Sequence, residues 1–591
     1  MASRLAALAR HLRPSPTHAQ PHLHELNPAY FLPRAAAIEP AAVAIVHRDR
    51  SGANIERDYF TEADRVRRLA AYFKRCYKDG TKIGILAPNT PMFFELMFGI
   101  AGSGHIQAAF NYRLSAAEIR TVVELSAVDV VFVDIDYLSV LMNAVGEGFP
   151  DLEIVVDLDT DHEEDLRDFR ATGHKNQTYG ELMASTVGDM TPFDQLHFED
   201  QPEDKVFALS FTSGTTGKPK AVEYTHRGMY LAAISSIVES ELNRGDKGCR
   251  YLWTLPMFHA AGWSYPFAVT AVRGSHVCLR KMDYTVVWEY LTSPQRPITH
   301  YNAAPTVNIQ ICEHANAKRL PERVLVTVAA SPPSPSLFKR MVALNLIPVH
   351  VYGLTETYGP ITRCYVLSEW SAHDEDQQFK KMSRQGHGFL TAQKARVVKP
   401  SLADRGELVD VERNGKEVGE ILLQGNTCMK GYHNDEKATQ KVFAGGWLHT
   451  GDLAVWHPDG AVEIMDRNKD IIISGGENIS SVGVENVMSA HPDVVEVAVI
   501  GIPDAVYGER PKALIILRAS GKAKNPESLR AELIEFARGR LGGFEVPREI
   551  EFVDELPKTS TGKVKKHELR KAERMHFERS QNAFGRHRGQ S

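Results

Sequence analysis

Cysteine is scarce in this chain and forms no pattern. Six are spread over 591 residues (Cys76, Cys249, Cys278, Cys312, Cys364, Cys428), and no CxxC pair occurs. That spacing excludes a thiolate zinc finger and argues against a disulfide framework, so the chain suits a reducing compartment. Long hydrophobic runs are missing too: none approaches the roughly 18 apolar residues of a membrane-spanning helix. Nor does one charge dominate. Lys and Arg number 69 against 74 Asp and Glu, a formal net charge of -5, which leaves no global basic field for holding nucleic acid. Internal repeats and long low-complexity tracts are also absent. What remains is an ordinary globular composition, 43% hydrophobic and 24% charged. The chain is too long for one compact core, so two or more domains are expected.

Strand-like apolar runs alternate with helical stretches through most of the length. Lys82–Leu86, Val130–Val133, Val206–Phe211, Val324–Ala330 and Pro348–Tyr352 read as strands. Between the last two, Ser334–Leu346 reads as a helix with Leu337, Met341 and Leu344 on one face. This rhythm predicts an α/β architecture. After about residue 466 the pattern changes. A strand is predicted at Val494–Ile500. A helix opens at Asn525-Pro526, a cap residue followed by proline at the first helical position, and is predicted to stop at Gly542-Gly543. The hundred or so residues from there suffice for a small separate domain. The polar, basic final residues read as disordered.

The chemistry begins at Thr212-Ser213-Gly214-Thr215-Thr216-Gly217-Lys218-Pro219-Lys220, directly after a buried strand. Glycines let the backbone turn tightly and expose N–H groups, while hydroxyls and lysines add donors and charge, a combination suited to a polyphosphate. It is not a Walker A loop. Only two residues separate its glycines, and Pro219 stands where Ser or Thr should hold magnesium.

This loop resembles the signature of the adenylate-forming superfamily, which includes acyl-CoA synthetases. Further motifs follow in that family's order. Tyr352-Gly353-Leu354-Thr355-Glu356 resembles its YGxTE motif, and Trp447-Leu448-His449-Thr450-Gly451-Asp452 its WxxTGD motif. Asp466-Arg467-Asn468-Lys469-Asp470, running into Ser474-Gly475-Gly476-Glu477-Asn478, resembles its hinge and glycine loop. Pro557-Lys558-Thr559-Ser560-Thr561-Gly562-Lys563 resembles its C-terminal lysine motif. The resemblance spans residues 25–575. It implies a large N-terminal domain of α/β subdomains (25–468) and a small mobile α+β C-terminal domain (469–575), flanked by a targeting segment (1–24) and a disordered tail (576–591).

It also implies an acid:thiol ligase that joins a small-molecule carboxylic acid to ATP as an acyl-adenylate and then passes the acyl group to coenzyme A. Both reactants of the first step are anionic, so it needs positive charge and alignment more than an acid–base pair. On that resemblance, Thr212–Lys220 hold the β- and γ-phosphates, Thr355 meets the α-phosphate and Glu356 holds Mg2+. Tyr352 and Gly353 lie at the adenine, with Ala329-Ala330-Ser331-Pro332 against its other face. The family often carries two glycines at Ala329 and Ala330. Asp452 and Arg467 bind the ribose, and Lys563 bridges α-phosphate and carboxylate. Lys469 is the implied hinge. Gly475, Gly476 and Glu477, with Val546, Pro547 and Arg548, are implied coenzyme A contacts. His259, within Leu255-Pro256-Met257-Phe258-His259, is implied to gate or line the acyl pocket, with walls from Tyr301–Thr306 and Thr327–Ala330.

Val326–Leu344 and Glu369–Gly386 are most similar to plant and fungal short- and medium-chain acyl-activating enzymes. Length and N-terminus are similar to the fungal mevalonyl-CoA ligases of siderophore biosynthesis. Medium-chain fatty and aromatic acids are the alternatives, as is an acceptor other than coenzyme A. The segment Arg4-Leu5-Ala6-Ala7-Leu8-Ala9-Arg10-His11-Leu12 resembles an N-terminal peroxisomal targeting signal. As a helix it places Arg4, Leu5, Leu8, His11 and Leu12 on one face, a docking surface for a peroxisomal import receptor. An Arg-rich, acid-poor mitochondrial presequence and a cytoplasmic protein with a chance match are the alternatives.

Overall fold

The computed structural model describes residues 24–159, 176–212, 219–244, 248–400, 407–467, 469–475, 477–504, 506–558 and 563–575. The segment 1–24 read as a targeting signal, but for His24, and the tail 576–591 lie outside them. Among the described residues the strands form four sheets. One has eight strands, and its middle is parallel. Val206–Thr212, Ile106–Ala109, Lys82–Leu86, Val130–Asp134 and Glu153–Asp157 follow one another across it. Val130–Asp134 is buried at every position, as expected for a strand covered by helices on both faces. A second sheet of nine strands carries a parallel run through Arg250–Trp253, His300–Ala303, Val324–Val328 and Leu346–Leu354. The helix Pro91–Ala101 is buried along its whole length in the principal core. Thr90 caps it and Pro91 opens it. Its buried Glu95 is held by Arg57 (2.6 Å) and Arg65 (3.0 Å), so the charge is paired where water cannot reach it.

A four-stranded antiparallel sheet follows, made of Ala392–Val398, Val418–Gly425, Leu448–Trp456 and Val462–Arg467. The small C-terminal domain has its own sheet, with Val494–Asp504 and Gly508–Leu517 as its long pair. Its separate core joins Val484, Met488, Val499, Ile515, Leu529 and Leu533. The α/β reading and the division into a large and a small domain therefore hold.

Several boundaries differ from expectation: the helix read as Ser334–Leu346 runs Pro335–Ala343, the strand read as Pro348–Tyr352 runs Leu346–Leu354, and the strand read as Val494–Ile500 runs on to Asp504. Two more have a visible cause. The helix opened by Asn525 runs Pro526–Arg538 and stops at Gly539, short of Gly542-Gly543. Its buried stripe is Leu529, Leu533 and Ala537, and Gly539, a helix-ending residue type nearer than the Gly542-Gly543 pair, stands at its C-cap. The strand predicted to reach Ala330 ends at Val328, because Ala330 adopts φ +85° and turns the chain out of the sheet.

The small domain is pinned to the large one at several points. The Asp466 carboxylate, at the end of the four-stranded sheet, accepts the Ser481 N–H (2.8 Å) and the Ser481 hydroxyl, holding the first residue of the helix Ser481–Met488, which Ser480 caps, across the domain boundary. Within the small domain, Lys566 Nζ donates to Ser481 Oγ (2.6 Å) and so braces the residue that Asp466 holds. Farther out, Arg518 of the small domain reaches Glu313 of the large one (2.6 Å).

Candidate active site

The strands flanking the glycine-rich loop pair antiparallel, with Thr212 opposite Lys220. Residues Ser213, Gly214, Thr215, Thr216, Gly217 and Lys218 lie outside the described residues; Thr212, Pro219 and Lys220 stand at the mouth of the hairpin. The outer edge of Lys220–Thr225 is covered by the two-residue strand Gly431–Tyr432. From there Tyr432 points back to the site. Its hydroxyl donates to Glu356 Oε1 (2.9 Å), and Lys220 Nζ lies 4.3 Å from its ring centre. The Met429 N–H donates to the Glu356 carbonyl (2.7 Å), and the Tyr224 hydroxyl to the Thr355 carbonyl (2.6 Å). Thr355 and Glu356 are thus tied to the strands Lys220–Thr225 and Gly431–Tyr432 by two tyrosines that sequence reading missed. No spacing marks Tyr224 or Tyr432, and only the fold brings them to Thr355 and Glu356.

The strand Leu346–Leu354 delivers Tyr352 to the same cleft. Its hydroxyl donates to Asp452 Oδ2 (2.7 Å), and burial, then the Asp452 charge, raises its pKa. Asp452 and Arg467 sit opposite each other on neighbouring strands, with Arg467 Nε 3.7 Å from Asp452 Oδ1. Gly353 cannot be otherwise: a Cβ there would lie 1.9 Å from the Gly359 carbonyl oxygen. Ala330 occupies a left-handed conformation that glycine adopts freely, at a cost of about 1 kcal/mol. The backbone turn before Ser331 and Pro332 is therefore made by an alanine.

Lys563 comes from the small domain into this cleft. Burial pushes its pKa down to about 8, and Arg467 and Lys469 add to that. Asp452 and Glu356 pull the other way. One lysine thus stands within the fields of the residues read as ribose, metal and hinge positions. His259 is pushed down to about 3 by burial, then by the Lys563 and Arg113 charges. It is neutral at physiological pH and can line a pocket, but it supplies no positive charge.

The residues read as coenzyme A contacts are placed differently. Gly475 (φ +60°), Glu477 and Arg548 are solvent-exposed, while Val546 and Pro547 are buried. Gly476 lies outside the described residues. Gly475 is tied by its N–H to the Tyr507 carbonyl (2.8 Å). Lys469 is exposed in the turn where the Asp470 N–H returns to the Arg467 carbonyl.

Glu356 suits a hard divalent cation. It is a carboxylate with one oxygen fixed by Tyr432 and the other without a protein partner among the described residues, at a place where phosphate oxygens would complete the shell. Among the described residues, His491, Asp493 and Glu532 also have metal-ligand spacing. There the Lys524 ammonium already bridges Asp493 (2.8 Å) and Glu532 (3.0 Å). No helix among the described residues is long and apolar enough to cross a membrane.

Comparison with known proteins agrees with this geometry. Residues 32–433 match the AMP-binding enzyme family, and residues 483–563 match the AMP-binding enzyme C-terminal domain. An acetate/butyrate–CoA ligase of Arabidopsis thaliana, named as peroxisomal, is 36% identical over 92% of this chain and 94% of its own length. A 4-hydroxybutyrate–CoA ligase of Metallosphaera sedula is 34% identical, covering 92% and 94%. The crystal structure of the anthranilate CoA ligase AuaEII with anthranoyl-AMP shares the fold, with a TM-score of 0.76, 22% identity, and coverage of 93% of this chain and 97% of that one. The chain belongs to the AMP-binding enzyme family, as an AMP-forming acid–thiol ligase.

Proposed function

We propose that the cleft activates a short-chain carboxylic acid, with mevalonate the best single candidate, and that coenzyme A is the acceptor. The observation that carries the activation chemistry is Lys563. It stands in the field of Asp452, Glu356 and Arg467 although it comes from another domain. In the first step a carboxylate oxygen attacks the α-phosphorus of ATP and pyrophosphate leaves. Lys563 bridges the two anions as charge builds between them, and Thr355 steadies the α-phosphate. Asp452 accepts the ribose hydroxyls, with Arg467 beside it. Tyr352 bounds the adenine from one side and Ala330-Ser331-Pro332 from the other. Thr212–Lys220 hold the β- and γ-phosphates. Glu356 would hold Mg2+, which when bound neutralises phosphate oxygens. In the second step the thiol attacks the acyl carbonyl and AMP leaves. We place the hinge at Lys469, between domains 25–468 and 469–575. Its movement brings Gly475, Gly476 and Glu477 toward the adenylate while Val546, Pro547 and Arg548 meet coenzyme A.

Two features favour a small, oxygenated acid. Thr327, three residues before Ala330, shares a buried hydroxyl cluster with Ser240 (3.0 Å) and Tyr265 (3.1 Å). The two relatives named above at 34–36% identity are named for two- to four-carbon acids, one of them hydroxylated; the anthranilate ligase shares the fold at only 22% identity. The N-terminal segment and the peroxisomal relative support a peroxisomal address. The test is pyrophosphate release from ATP over a panel of acids, with and without coenzyme A: acetate, butyrate, 4-hydroxybutyrate, mevalonate, octanoate and cinnamate. Preference for mevalonate is expected. Preference for octanoate or cinnamate would replace the short-acid reading by the medium-chain or aromatic alternative.

A further inference from the structure

Tyr432 touches both halves of the triphosphate machinery, although it lies in neither motif. Its hydroxyl fixes one oxygen of Glu356 (2.9 Å), and its ring carries the Lys220 ammonium at 4.3 Å. These are separable interactions. The first is a hydrogen bond to a carboxylate, which sets how Glu356 presents its remaining oxygen. The second is a cation over an aromatic face, which holds a long lysine side chain in place. The backbone around Tyr432 makes the arrangement stiff. Tyr432 pairs with Val222 in the sheet, the His433 N–H donates to the Ala221 carbonyl (2.8 Å), and the Lys430 N–H to the Glu223 carbonyl (3.1 Å). On the other side the Met429 N–H holds the Glu356 carbonyl (2.7 Å). The 429–433 segment is therefore stapled to the strand leaving the glycine-rich loop and to the Thr355–Thr357 turn. It fixes the distance between them.

We propose that Tyr432 is a positioning residue for the metal–triphosphate complex. Its hydroxyl aims Glu356 at the divalent cation, and its ring aims Lys220 at the terminal phosphates. This rests on the reading of the cleft as an ATP site. Orienting Glu356 contributes only when a metal is present, whereas orienting Lys220 contributes to the nucleotide with or without one. The two substitutions Tyr432→Phe and Tyr432→Leu thus part the roles, because phenylalanine keeps the ring and loses the hydroxyl.

The test is calorimetric titration of the full chain with ATP, once with Mg2+ and once with EDTA, in parallel with thermal unfolding. For Tyr432→Phe, affinity for ATP with Mg2+ should fall about tenfold, the scale of one hydrogen bond to a charged group, while affinity in EDTA stays unchanged. Tyr432→Leu should weaken both titrations. Both variants should unfold within a few degrees of the unaltered protein. If Tyr432→Phe binds ATP with Mg2+ as tightly as the unaltered protein, or loses equally in both titrations, the assignment is wrong. If the unaltered protein binds no ATP, the site reading itself is overturned, and the assignment with it.

Discussion

Replacing Lys563 by alanine should separate the two half-reactions, and the structure gives both the size and the pH dependence. A lysine held near pKa 8 is protonated in about nine of ten molecules at pH 7 and about one of ten at pH 9. If the ammonium is the active form, acyl-adenylate formation at low substrate should fall about tenfold between those pH values. Bound nucleotide adds negative charge beside the lysine, so the fall under saturating ATP should move to higher pH. Thioester formation from preformed acyl-adenylate should not share this alkaline limb. Lys563→Ala removes the charge altogether, and loss of one such preorganised electrostatic contact costs about a hundred- to a thousandfold in rate. Lys563→Arg should keep a cation, and its residual adenylation should lose the limb near pH 8.

The variant should not fail by unfolding. A lysine whose pKa is lower in the folded chain binds its proton more weakly there than in the unfolded chain. Its penalty is therefore present in full below about pH 8 and is relieved as pH rises toward the unfolded value near 10.5. Removing Lys563 at pH 7 should leave the melting temperature unchanged or raised. The assay is rapid-quench formation of acyl-AMP from radiolabelled ATP, set beside conversion of synthetic acyl-AMP to acyl-CoA. Equal losses in both steps in a folded variant would refute the assignment of Lys563, as would an adenylation rate flat from pH 7 to 9.

Three further outcomes are expected. Asp466→Ala removes the carboxylate that accepts the Ser481 N–H across the domain boundary, a loss of about 2 kcal/mol for a hydrogen bond to a charged group; adenylation should slow a fewfold while conversion of preformed acyl-adenylate holds or quickens, and a uniform loss would show that Asp466 does not favour the adenylating posture. Gly353→Ala forces a Cβ to 1.9 Å from a backbone oxygen, so the variant should lose most of its soluble yield and ATP binding, and near-normal yield and affinity would contradict the backbone geometry of the strand end. A fluorescently tagged chain carrying Arg4→Ala and His11→Ala should stay in the cytosol while the unaltered tagged chain enters peroxisomes; import of the variant would sink the N-terminal address.

Much of the site was legible because the reaction demands particular residue types close together in sequence. Polyphosphate needs exposed N–H groups and cations, so Thr212–Lys220 announces itself, and Asp452, Arg467 and Lys563 stand in similarly compressed contexts. The βαβ rhythm was legible for the same local reason. What escaped was carried by register and docking. Tyr432 matters because a two-residue strand pairs beside Lys220–Thr225, and nothing local distinguishes it from a core tyrosine. Asp466 looked like part of a hinge motif, yet its carboxylate holds the first residue of a helix in the next domain. Ala330 broke a strand prediction because its β-compatible residue type says nothing about the left-handed turn that the cleft imposes. The helix from Asn525 ended early because a single glycine, Gly539, already stops it before the more conspicuous Gly542-Gly543 pair.

The central claim is that the acid is activated at the α-phosphate of ATP. It is tested most directly with the acid that the panel selects, labelled with 18O in its carboxylate, turned over with ATP and coenzyme A and analysed by mass spectrometry. Attack on the α-phosphorus leaves one carboxylate oxygen on the phosphate when the thiol displaces it, so one 18O atom should appear in AMP and none in pyrophosphate. Label in inorganic phosphate, with ADP as the nucleotide product, would mean an acyl-phosphate route and would contradict the account.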